Sequence, residues 1–117
     1  MDVKNIYEKT GGDYPGVVKR LGSEATVAHF AVRFLSDGSM CELDSAFKSG
    51  DVESAFRAAH TLKGVALNLG FTALGKNAAA LTEILREKSF DGAAPLLEKT
   101  RSAYDELISA IKEYSGK

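Results

Sequence analysis

Apolar residues recur along this chain at alternating steps of three and four, the spacing that lines one face of an α-helix. The clearest stripe is the last, where Leu97, Thr100, Tyr104, Leu107, Ile111 and Tyr114 fall in register. Asp91 is placed to cap the start of that helix, and Pro95 falls in its first turn, where a missing N–H costs least. A second stripe, Phe71, Leu74, Ala78, Leu81 and Leu85, predicts a helix from about Thr72 to Lys88. Gly75, Ala78, Ala79 and Ala80 keep that helix thin enough for a neighbour to approach closely. A third stripe, Val52, Phe56, Ala59, Leu62, Ala66 and Leu69, predicts a helix over Asp51–Leu69, capped by Asp51 and ended by Gly70 in a left-handed conformation.

Between Ser23 and Ser49 the pattern changes phase. Val27, Phe30, Ala31 and Phe34 set one face, and Met40, Leu43 and Phe47 set another after Ser36-Asp37-Gly38-Ser39, which predicts a kink or short break near Gly38. Residues 1–22 hold short apolar groups split by Gly11-Gly12, enough for one or two small covering helices. Four amphipathic helices joined by short loops bury their stripes by packing as antiparallel neighbours. The expected fold is therefore all-α, an antiparallel up-down four-helix bundle with one or two short N-terminal covering helices, in a single domain over residues 1–117.

Composition narrows the function. At 117 residues the chain is too short for a large two-domain catalytic scaffold. Fifteen Lys and Arg against sixteen Asp and Glu give a formal charge of −1, with no basic stripe to attract nucleic acid or an anionic membrane. The single cysteine, Cys41, has no partner for an intramolecular disulfide. The first ten residues lack the apolar run of a signal peptide, and no segment has the apolar length of a membrane span. A cytoplasmic location is expected, and four stripes buried within one chain make a monomer the default.

On a helical wheel of the Asp51–Leu69 segment, His60 points about 120° away from the apolar direction, so it faces outward. Gly64, one turn on, is an expensive choice inside an exposed helix face, where glycine costs about 1 kcal/mol relative to alanine. Its missing Cβ leaves the flank of the imidazole bare. Lys63, three residues from His60, can place an ammonium near a group attached to the ring. A cation there favours the neutral, nucleophilic imidazole and attracts negative charge, which are the demands of accepting a phosphoryl group on nitrogen. The alternative is a surface histidine without a chemical role. His60 has no His or Cys at the spacing of a metal site, and His29 and Cys41 are isolated, so no metal is expected. No phosphate-binding glycine loop, Ser/His/Asp order or HExxH pattern is present.

The run Ala59-His60-Thr61-Leu62-Lys63-Gly64-Val65-Ala66-Leu67-Asn68-Leu69-Gly70 resembles the signature of histidine-containing phosphotransfer (HPt) domains, an AHxLKG core followed by Leu-Gly. The lead-in Phe47-Lys48-Ser49-Gly50-Asp51 and the following small-residue helix with Leu81 and Glu83 extend the likeness. The resemblance implies that His60 accepts a phosphoryl group from a receiver-domain aspartyl phosphate and passes it to another receiver. It also implies that Lys63 stabilises the phosphoryl oxygens and Gly64 gives the partner access. Such a domain is a phosphocarrier without kinase activity. It binds no cofactor itself, and the divalent metal belongs to the receiver. Response-regulator receivers and a hybrid sensor kinase are the expected partners, with Phe56 and Leu67 as apolar contacts and Glu53 and Arg57 as polar rim. Phe56 also fits wholly in the core, and Leu67 fits either reading. Some members set a polar side chain from the next helix against the histidine, and the position in step is Thr82. The break near Gly38 departs from the long second helix common in the family. Two other readings stay open: an adaptor bundle that binds without transferring phosphate, and the phosphorylation module of a chemotaxis-type histidine kinase.

Overall fold

The computed structural model describes residues 2–116. They form helices without strands: α1 (Lys4–Thr10), α2 (Tyr14–Leu21), α3 (Glu24–Arg33), α4 (Ser39–Ser49), α5 (Val52–Asn68), α6 (Thr72–Leu85) and α7 (Ala93–Ser115). A single 3₁₀ turn, Phe34–Ser36, followed by extended Asp37, separates α3 from α4. This is the break anticipated at Gly38, and the Asp37 carboxylate accepts the Ser39 N–H across it at 3.0 Å. The kinked arm α3–α4 and the helices α5, α6 and α7 make the four-helix bundle, with α5 packed between α4 and α6 and with α6 against α7. A paired Arg101–Asp44 contact ties α7 back to α4. The short α1 lies on α7, and α2 covers the end where α5 turns into α6.

The α6 stripe is buried throughout, as are Leu97, Thr100, Leu107 and Ile111 of α7. In α5, Ala59, Leu62 and Ala66 lie in the core as the stripe predicts, while Val52, Phe56 and Leu69 are half-buried at its edges. Ala55 and Ala58, outside the predicted stripe, are buried as well, because the α5 surface is shared between two neighbours. Phe30 departs from expectation: Val27, Ala31 and Phe34 point inward, but Phe30 falls at the flank and is 37% exposed, edge-on to His29.

Asp51 caps α5 as anticipated, its carboxylate accepting the Ser54 N–H at 3.1 Å and the Ser54 hydroxyl at 2.7 Å. At the other end Gly70 is left-handed (φ 76°). The Gly70 N–H reaches the Leu67 carbonyl and the Phe71 N–H reaches that of Ala66, the paired bonds of a Schellman motif.

Two helix ends differ from the sequence reading. Helix α6 stops at Leu85 rather than Lys88, and Lys88 takes a positive φ of 60°. The cause is tertiary, since Phe90 packs against Phe47 of α4 with ring centroids 4.8 Å apart, and the chain must reverse to bring it there. Helix α7 is not capped by Asp91: its N-cap is left-handed Gly92, and the Asp91 N–H instead donates to the Ser89 hydroxyl at 3.0 Å. Pro95 does sit in the first turn.

Candidate functional site

The middle of α5 carries His60 on its outer side, exposed to solvent, between the buried ridge of Ala59 and Leu62 and the bundle surface. Gly64 follows one turn later. A Cβ built there would meet no atom within 4 Å, so nothing inside the fold requires the side chain to be absent. The glycine therefore holds open a notch on the outside, next to the imidazole. Lys63 is half-buried on the adjacent ridge and lies close enough to Glu83 of α6 for its charge to act on that carboxylate.

Two contacts fix how α6 runs alongside this face. Toward the C-terminal end of α5, Leu67 lies over Gly75, where a Cβ would come within 2.4 Å of Leu67 Cδ2. Toward the N-terminal end, the Arg86 guanidinium stands over the Phe56 ring, 5.1 Å from its centroid. Antiparallel helices in that register bring residue 82 level with His60. Thr82 nevertheless does not join the site. It is fully buried, and its hydroxyl donates to the Ala78 carbonyl of its own helix at 2.7 Å. The wheel position that would face outward at this level belongs to its neighbours, and the exposed polar side chains here are Glu83 of α6 and Arg86 at its C-cap.

Phe56 is neither wholly core nor free surface. Its ring is half-buried, nearly parallel to the His60 imidazole (10° between planes, centroids 6.1 Å), with Arg86 over it. Arg86 is held by Glu83, which accepts its Nε–H at 3.0 Å and a second bond at 3.3 Å. Those hydrogen bonds, and then the Arg86 charge, hold the Glu83 carboxyl below the usual range, while the same bonds push the guanidinium above its own. A groove of about 400 Å³ opens beside Phe56, with Val52, Phe56 and Leu85 as its apolar lining and Glu53, Arg57, Arg86 and Lys88 around it. Glu53 and Arg57 are exposed beside this groove, and Arg57 donates to the Ser54 hydroxyl at 3.2 Å. At the opposite end Leu67 is 42% exposed, the most exposed large apolar residue among those described.

The structure therefore lines up Glu53, Phe56, Arg57, His60, Lys63, Gly64 and Leu67 on one face and withdraws Thr82 from it. Arg86 was missed by the sequence reading, whereas Gly75, read as a position of close approach, does take Leu67 of α5 against it. The Glu83–Arg86 spacing signals a helical ion pair, but only the α5–α6 register shows that the pair stands beside Phe56. Among the described residues no group of three or more His, Cys, Asp or Glu side chains is placed to hold a metal ion, and no helix is long and apolar enough to cross a membrane.

No curated protein and no solved structure matches the chain significantly. The protein-family model for the Hpt domain matches residues 36–114, more than half of the chain, from the 3₁₀ turn through α7. Hpt domains are phosphocarrier modules of histidine phosphotransfer in phosphorelays, and they interact with receiver domains and kinases. The bundle, the outward histidine and the match over 36–114 agree: the chain belongs to the Hpt domain family.

Proposed function

We propose that this protein is a phosphorelay intermediate in which His60 accepts a phosphoryl group from the aspartyl phosphate of one receiver domain and delivers it to another. The observation that carries the reading is the open notch at Gly64 beside an exposed imidazole, a glycine that the interior of the fold does not need. In the transfer, the lone pair of a neutral imidazole nitrogen forms the N–P bond as the acyl P–O bond breaks. The electron pair of that bond stays on the receiver's carboxylate, and the other ring nitrogen keeps its proton. The return step runs through the same atoms in reverse, so direction follows the relative amounts of the phosphorylated species.

This chain contributes position and charge. His60 stands clear of the bundle, the Gly64 notch lets a partner's loop approach along α5, and the Lys63 ammonium meets the phosphoryl oxygens. The receiver contributes the carboxylate and its divalent metal. Phe56 and Leu67 flank the histidine as apolar contacts, with Glu53 and Arg57 at the edge.

The test is to mix the protein with a phosphorylated receiver domain and follow acid-labile, alkali-stable label. Label on His60 that vanishes in His60→Gln is the expected result, and Lys63→Ala should slow transfer while leaving receiver binding measurable. Binding without label overturns the assignment and leaves an adaptor bundle, and label that persists in His60→Gln overturns His60 as the acceptor.

A further inference from the structure

The last carbonyls of a helix have no intrahelical partner, and beyond the Schellman bonds to Ala66 and Leu67 the end of α5 and the turn after it are supplied from an unexpected source. The Arg20 guanidinium of α2 donates to the Leu67 carbonyl through Nη2 and to the Asn68 carbonyl through Nε, both at 3.1 Å. The Tyr7 hydroxyl of α1 donates to the Leu69 carbonyl at 2.7 Å, and the Asp13 N–H donates to that of Gly70 at 2.9 Å. Four consecutive carbonyls thus each receive a donor from residues 7–20, a segment outside the 36–114 family match. The fit is close on both sides. A Cβ at Gly12 would lie 2.6 Å from Tyr7 Cδ2 and 2.7 Å from the Gly70 oxygen, and one at Gly70 would lie 2.9 Å from the Asp13 oxygen. Tyr7 is itself buried and stacked on Phe71, centroids 5.4 Å apart. Burial pushes its phenol well above the usual range, so it remains a donor.

We propose that the N-terminal segment is a clamp on the phosphoacceptor helix, and that Arg20 is a positioning residue for receiver docking, acting through Leu67. The second half rests on the reading of His60 and Leu67 given above. Leu67 lies two turns beyond His60 on the same outward side. Its carbonyl accepts from Arg20 as well as from the Gly70 N–H, and its side chain lies over Gly75. A guanidinium at this end also offsets the negative pole of the α5 dipole. Without it the last turn of α5 frays, and the exposed leucine loses its fixed place relative to the imidazole.

The experiment compares the full chain with Arg20→Met, which keeps the stem and removes the donors, and with Arg20→Lys, which keeps one cation. Amide hydrogen exchange at Leu69, Gly70 and Phe71 is expected to accelerate at least about threefold in Arg20→Met, with Leu81 and Leu107 unchanged and Lys intermediate. In transfer from a receiver, KM should rise about three- to tenfold at constant kcat. Unchanged exchange at residues 69–71 overturns the clamp whatever the chemistry of His60. Faster exchange with an unchanged KM overturns the positioning role, as does an equal loss in kcat. Failure of the wild-type chain to take label on His60 would overturn the phosphorelay reading and the docking role with it, while the exchange result still decides the clamp.

Discussion

Replacing Gly64 with alanine should make the protein more stable and less active at once. The residue lies inside α5, where glycine is worse than alanine by about 0.8–1.0 kcal/mol, and the added methyl would touch nothing within 4 Å. No clash subtracts from the gain in helix propensity. For a chain of 117 residues, with an unfolding entropy of about 2 cal/mol/K per residue, that gain raises Tm by about 3–4 °C. The same methyl occupies the notch that, in the proposed transfer, a partner enters, and overpacking at a close contact costs about 1–3 kcal/mol. Transfer from a receiver domain should therefore fall by about five- to a hundredfold, while a small donor such as phosphoramidate, which needs no notch, still labels His60 at close to the wild-type rate. Thermal unfolding followed by circular dichroism and a receiver-to-protein transfer assay read the two effects separately. A destabilised variant would show that the glycine serves the fold, and a stabilised variant with wild-type transfer would show that the notch serves nothing.

Thr82→Val should change neither stability by more than about 1 kcal/mol nor the transfer rate, because the hydroxyl bonds only a carbonyl that the helix already satisfies; a large loss of transfer would place Thr82 at the reacting face after all. Asp51→Asn should flatten the acid limb of stability. The Ser54 hydroxyl and N–H, with Arg57 adding a smaller pull, hold the Asp51 carboxyl below its usual 3.8. The stabilisation is therefore complete above about pH 4 and lost as pH falls through the lower folded value. Asn can still cap but cannot titrate, and acid titrations of the two proteins that superimpose between about pH 2 and 5 would contradict this. Arg86→Ala should raise the receiver KM severalfold with little change in Tm, since the ion pair with Glu83 is exposed while the guanidinium stands over Phe56 beside the histidine; an unchanged KM would confine Arg86 to surface charge.

What the sequence made legible and what it hid divide by range. The stripe of α6, the Asp51 cap, the left-handed Gly70 and the outward phase of His60 follow from residues three or four apart, where helix geometry leaves little freedom. The break before Gly38 was visible for the same reason, as a polar run between two stripes of different phase. Lys88 and Asp91 were misread because the turn there is decided by Phe47, more than forty residues away, which draws Phe90 inward and moves the start of α7 past the aspartate. Thr82 shows the same limit at the site. Counting along the family pattern puts it level with His60, and it is level, but its direction is set by how α6 rolls against α5 and α7. The four donors that hold the end of α5 come from a segment whose own pattern says only that it covers something.

The glycines of the two facing helices put the sequence reading to a test. In the sequence Gly64 reads as a bare flank on an outward face and Gly75 as one of the small residues that let a neighbour approach. In the structure they are opposites: Gly64 faces open space, whereas a Cβ at Gly75 would stand 2.4 Å from Cδ2 and 2.8 Å from Cγ of Leu67. Gly75→Ala therefore gains about the same 1 kcal/mol of helix propensity but must turn the Leu67 side chain to another rotamer. Because that side chain is already 42% exposed it can move outward, and the lost contact offsets most of the gain. Tm should stay within about 3 °C of wild type, in contrast to the clear rise for Gly64→Ala. Receiver KM should nonetheless increase, since an apolar contact of the proposed docking face has been displaced. A Gly75→Ala protein as stabilised as Gly64→Ala, with unaltered receiver KM, would mean that Leu67 has no fixed place over α6 and that the docking face ends at the Gly64 notch.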